Sequence, residues 1–255
     1  MAKTSKSSVR SDRQKVIDDI RRKQKSAEKR QGTIIVVICV AIAAAIIVAA
    51  AWKPVWTWVH QKGNSTKPLT EIGAPAADVC SDITRKKANG NQQHEPTGTQ
   101  INYPDSPPAF GPHWNEPGQA PVPIHQRFYT EDNRPELEEL VHNLEHGYTI
   151  LWYDDTAANS PSMLADVKSI AARLDASDTN NRYSFKAVPW TKDDGDPFPD
   201  GKHIALTAWT VDSAGDQYGE WQYCSEPSGE AVQDFMAKFP YTNAPEPIGG
   251  YQPGA

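Results

Sequence analysis

The sequence predicts an α+β protein: one N-terminal transmembrane helix, then a mixed α/β external domain in which a Pro-rich loop segment precedes the regular elements. Three features carry that prediction. Thr33 to Trp52 is a run without a single charge. Residues 94–129 are too dense in proline and glycine for helix and allow only broken strand. From about residue 132 onward, helix-like and strand-like runs are intermixed.

The N-terminal tail up to Gln31 carries eleven Lys and Arg against four Asp and Glu, about +7, so the rest of the chain holds about −13 of the total −6. This tail has weak helical patterning and is expected to lie solvated beside anionic lipid. The apolar run that follows would be about 30 Å long as a helix, the thickness of a bilayer's hydrocarbon core. Basic residues gather just before it, which by the positive-inside rule keeps the N-terminus cytoplasmic. Trp52, Trp56 and Trp58 supply an aromatic belt where it leaves the membrane. A cleaved signal peptide is the competing reading of "AAAW", but the basic region and apolar run are both long for a signal, which favours a retained anchor. The expected division is a basic cytoplasmic tail (1–31), the span with its belt (32–59), a linker (60–77), an extracytoplasmic domain (78–240) and a Pro/Gly-rich tail (241–255). Charge and span make the lipid bilayer one partner, while nucleic acid is disfavoured by the acidic external domain.

Within the external domain a helix is predicted to open near Asp132 or Asn133, with Pro135 in its first turn, and to stop at Gly147. The strand "YTILWY" follows directly. Ser160-Pro161 caps a second helix with an apolar stripe through Leu164, Val167, Ala171 and Leu174. Strands around "RYSFKAVPW", "HIALTAWTV" and "EWQYC" come next, with a turn at "DSAGD", and then a helix "GEAVQDFMAKF" capped by Ser228. The tryptophans and tyrosines on these strands read as core.

Cys39 lies in the span, so Cys80 and Cys224 are an even pair outside it and are disulfide candidates in an oxidising compartment. No CxxC motif supports thiol exchange. The four aspartates of "TKDDGDPFPDGKH" lack EF-hand spacing and read as a solvated loop.

The chemistry of interest lies in "ELEELVHNLEHGYTILWYDD". On a helical wheel Leu137, Leu140, Val141 and Leu144 form the core face, and Glu139, His142 and His146 share the opposite one at spacings of three and four. Either that face is wet, or something covers it. Gly147 places the pair on the last turn, where the Pro-rich loop could fold across it, and that loop holds His94, His113 and His125, any of which could complete a site. Beyond that possibility His94, His125 and His203 are assigned no role. "HNLEH" also fits the HxxEH pattern of some zinc peptidases, which requires a helix continuing past the second histidine; Gly147 and the strand after it speak against that.

"SPPAFGPHW" at 106–114 and "LVHNLEHGYTILWY" at 140–153 resemble the two signature segments of the domain of unknown function 3105 family, largely actinobacterial proteins with one N-terminal span and an external domain. The resemblance runs from about Cys80 to Pro247; Ala109 and Phe110 stand where the family tends to have a Thr-Ser pair. It implies His113, His142, Glu145 and His146 as a shared polar cluster. It also implies an accessory role at the outer face of an integral membrane complex of the respiratory chain, with binding or scaffolding favoured over catalysis. The expected site is therefore His113, His142 and His146 converging on copper or zinc, with Glu139 or Glu145 as fourth ligand or as acceptor from one. The alternative is a metal-dependent enzyme or a copper-handling protein using the same histidines.

Overall fold

The computed structural model describes residues 4–88, 92–175 and 183–248, with side chains from residue 13 onward. The chain divides into two compact units, Met1–Lys53 and Pro54–Ala255. Helix α1 runs Thr4–Asn64. Its segment in the first unit leaves Ile34, Val37, Ile46 and Val48 more than half exposed. With a mean hydropathy of 3.3 over its most apolar stretch, it is the one helix among the described residues long and apolar enough to cross a membrane. Such a helix satisfies its backbone internally and offers only apolar side chains to lipid, which is how a single-pass anchor is built.

After α1 the second unit contains a 3-10 turn at Leu69–Glu71, helix α2 (Ala76–Val79) and strands β1 (Thr84–Lys87), β2 (His94–Glu95) and β3 (His113–Trp114). Helix α3 (Leu137–Glu145), strand β4 (Thr149–Tyr153) and helices α4 (Asp155–Asn159) and α5 (Pro161–Leu174) follow. Strands β5 (Phe185–Pro189), β6 (Ile204–Val211) and β7 (Gln217–Cys224), helix α6 (Gly229–Lys238) and a 3-10 turn at Tyr241–Asn243 complete it. Five strands make one sheet in the order β1-β7-β6-β4-β5, antiparallel except for the parallel β4–β5 pair. β2 and β3 form a separate parallel pair.

The inner strands β4 and β6 and the edge strand β5 are buried on both faces, their side chains alternating between two cores, whereas β1 is exposed throughout. Leu151 and Tyr153 of β4 point to the core shared with Val167 and Ile170 of α5 and Val232 and Phe235 of α6. Ile150 and Trp152 point the other way, to a core closed by Leu140, Val141 and Leu144 of α3 and by the Pro-rich loop. The caps at Ser160 and Ser228 form as expected, accepting from Met163 and Ala231 backbone N–H groups. The β6–β7 hairpin closes where "DSAGD" predicts, with Asp212 accepting from Ala214 and Asp216 and Gly215 at φ 84°.

Three details differ from the sequence reading. Helix α3 begins at Leu137 rather than near Asp132, because Asn133 closes its own turn on Thr130 and Glu136 caps the helix through a reciprocal bond with Glu139. Part of the stretch expected to be a linker packs: Ile72 is fully buried, Ala74 N–H donates to the Pro227 carbonyl, and Asn64 donates to Asp166. Order also continues past Pro240, since Ala244 and Ile248 are buried; residues 249–255 of the expected tail lie outside the described residues.

The Pro-rich loop is ordered by the polar tips of core aromatics. Trp221 Nε1 donates to the Pro107 carbonyl, Tyr223 to Ser106, Trp114 Nε1 to Thr99 and Tyr103 to Pro112. Ala109 and Phe110 are buried in the core under this loop, with Phe110 6.1 Å from both the Trp209 and Trp221 rings, which explains apolar residues at those two positions. Asn143 of α3, wholly buried, accepts from Val122 N–H and donates to Val122 carbonyl, 2.9 Å each, and so fastens the loop to the helix.

Candidate metal centre

The loop covers the polar face of α3. From Glu138 to Glu145 every residue of that helix is buried, His142 at 2% exposure and Glu145 at 0%. His113 enters from β3, also fully buried, and the parallel β2–β3 pairing sets His94 directly opposite His113. Three imidazoles form a triangle, with ring centres 5.0 Å apart for His94 and His113, 4.6 Å for His113 and His142 and 5.3 Å for His94 and His142, and His146 lies beyond it, 4.9 Å from His142.

Hydrogen bonds to backbone carbonyls decide which ring nitrogen is protonated, since a carbonyl only accepts. Nδ1 of His113 lies 2.9 Å from the Gly111 carbonyl, Nδ1 of His142 2.6 Å from Trp114, and Nδ1 of His146 2.8 Å from Glu246. All three rings therefore carry the proton on Nδ1, and their Nε2 lone pairs turn inward. His113 Nε2 is 3.0 Å from Glu145 Oε2, His142 Nε2 3.8 Å from the same oxygen, and His94 Nε2 3.7 Å from it. His146 Nε2 is 3.1 Å from His142 Nε2. His113 Nε2 and Glu145 Oε2 are buried and have no hydrogen-bond partner among the described residues.

Lone pairs aimed at one another repel unless a cation lies among them. A metal with arms of 2.0–2.1 Å in a tetrahedron needs ligand atoms about 3.3–3.4 Å apart, and the observed separations bracket that value. His94, His113, His142 and Glu145 each bring one ligand atom within 4.8 Å of the others. At His142 a proton is a poor substitute at neutral pH: burial, then the charges of His113 and His146, pushes that imidazole down to about 3. Burial works to raise Glu145, but His113, Gln92 and His142 outweigh it and hold the carboxyl at about 2. The centre thus presents a carboxylate at Glu145 beside a neutral imidazole at His142. Its carboxylate is oriented from behind: Glu145 Oε1 accepts from Gln92, whose own oxygen accepts from Gln217, which in turn accepts from Trp209 Nε1. Carbonyl-fixed imidazoles and a braced carboxylate are the outer contacts that metal ligands require.

Of the expected residues, His113, His142 and Glu145 meet in one group. His146 reaches it through His142 and also joins a second group with Glu145 and Glu246. Glu139 does not join either group: its carboxylate bends back to the Glu136 N–H at the helix start. His94, assigned no role from sequence, completes the first group, and Glu246 was not foreseen. Its sequence signal is its place at the C-terminal end of the stretch that resembles the family, next to Pro247. Helix α3 ends at Glu145 and β4 begins at Thr149, so the continuous helix a zinc-peptidase HxxEH needs is missing. Asp194 is used by Arg134, Thr191 N–H and the Thr191 hydroxyl, which leaves that loop structural. His203 pairs with Asp154. Cys80 and Cys224 are joined in a disulfide, 144 residues apart in sequence.

A family described as "Protein of unknown function (DUF3105)" matches residues 94–251, a span that contains His94, His113, His142, Glu145, His146 and Glu246. Comparison with curated proteins and with solved structures returns no match.

Proposed function

The chain belongs to the DUF3105 family, and from that premise we propose that it is a membrane-anchored, extracytoplasmic protein whose folded domain holds one copper or zinc ion at His94, His113, His142 and Glu145. The observation that carries this reading is the convergence of the His113 and His142 Nε2 lone pairs, each fixed by a carbonyl behind it, on a buried carboxylate oxygen with no hydrogen-bond partner among the described residues. Imidazole and carboxylate donors suit both metals in an oxidising compartment, and the disulfide supports that compartment. An outward-facing domain agrees with the basic residues preceding the span.

We further propose an accessory role on an integral membrane complex, of which a respiratory complex is the one the family resemblance suggests. Support for binding over catalysis comes from the centre itself: His113, His142 and Glu145 are 0–2% exposed, which leaves a substrate little access. The test uses the full chain purified in detergent, stripped and then exposed to Cu(II) or Zn(II). One ion per chain is expected, with nitrogen ligands visible in the copper spectrum, and loss of that ion in His113→Ala and in His142→Ala. A wild-type chain that retains no ion, or retains it equally in both variants, would sink the proposal.

A further inference from the structure

We infer that the metal reaches its buried position through a second, outer station made of His146, Glu246 and Glu145, which passes the ion inward between His146 and His142. This rests on the metal reading above. The inner ligands His113, His142 and Glu145 are sealed from solvent, whereas His146 is half-buried and Glu246 is exposed. Ligand atoms of Glu145, His146 and Glu246 lie within 4.8 Å of one another, so this group is itself large enough to hold an ion. The two stations share Glu145, and the 3.1 Å approach of His146 Nε2 to His142 Nε2 lets one imidazole take up an ion as the other releases it.

The C-terminal strap is built to hold the outer station in place. Glu246 N–H donates to the Glu145 carbonyl, and the Glu246 carbonyl fixes the His146 tautomer. Ile248 anchors the strap against Ile124 and Tyr148. Two ions at once are disfavoured, because Glu145 Oε1 is already engaged by Gln92 and two dications would share the one remaining oxygen. Charge also selects this entrance. His94 opens to solvent too, at 41% exposure of its side chain, but the outer station adds an exposed carboxylate that draws cations.

The test follows Cu(II) loading and release in the full chain in detergent by stopped-flow quenching of tryptophan, for which Trp209, 6.0 Å from the His113 ring, is the reporter. Glu246→Gln alters only an exposed side chain, so its fold is not at issue; His146→Ala is the stronger variant. Each is expected to slow both loading and release by about tenfold, the lower end of what a charged group at a site entrance contributes, because a removed relay leaves the end states alone. Rates unchanged in Glu246→Gln, slowing by His94→Ala alone, or two ions per wild-type chain would each overturn the relay while leaving the metal centre standing. A wild-type chain that takes up no copper ends both proposals.

Discussion

Replacing Asn143 with alanine tests whether the loop is held on the helix by hydrogen bonds or by apolar packing. The side chain is 0% exposed and makes two bonds of 2.9 Å to Val122, one as acceptor and one as donor. Alanine removes both and leaves the Val122 N–H and carbonyl without partners in a buried loop. Each stranded group costs about 1–3 kcal/mol, so the expected loss is about 3–4 kcal/mol. For a folded unit of this size that corresponds to a melting temperature lower by about 6–15 °C. The same change loosens the segment that carries His113, and metal affinity should fall by about 10–100-fold, as when a supporting contact of a ligand is removed. Thermal unfolding followed by tryptophan fluorescence gives the first quantity and competition with a chelator gives the second. Asn133→Ala, at an exposed turn, serves as control and is expected to cost about 1 kcal/mol or less. A loss below about 1 kcal/mol for Asn143→Ala with unchanged affinity would refute the reasoning and assign the loop's attachment to Phe110 and its tryptophan neighbours.

Two further outcomes follow from the same physics. His142 sits at about 3 when folded against 6.5 ordinarily, so the unfolded chain takes up the proton first and stability falls as pH drops from about 6.5 toward 3; Glu145, at about 2 against 4.5, extends the decline at lower pH. Metal-free protein should melt about 5 °C lower at pH 4.5 than at pH 7, and a flat profile would contradict the burial of a neutral His142. Opening the Cys80–Cys224 bond with paired serine substitutions releases a loop of 144 residues, worth about 5 kcal/mol in the chain-entropy model. Denaturant unfolding with and without the change measures this, and a difference under about 1 kcal/mol would show that the bond constrains little.

Much of the molecule was legible from the chain alone, because the relevant forces act over a few residues. An uncharged run the length of a bilayer has to be a helix, since lipid offers the backbone no partners. The 3.6-residue period placed Leu140, Val141 and Leu144 on one face of α3 and His142 and His146 on the other, and the structure keeps that division. The run "YTILWY" read as a strand with core aromatics, and β4 is buried along its whole length. The count of cysteines outside the span left one pairing, and Cys80 and Cys224 make it.

What periodicity does not report is what lies over a polar face. A histidine opposite an apolar stripe looks the same in sequence whether water or a proline-rich loop covers it, and only the path of residues 94–129 settled that it is covered. The wheel also put Glu139 beside the histidines, yet its carboxylate is within reach of the Glu136 N–H at the helix start and binds there instead. His94 and Glu246 lie far from α3 along the chain and meet it through strand pairing and the C-terminal strap. Contacts of that range are selected by the packing of the whole domain, so no local pattern in the chain marks them.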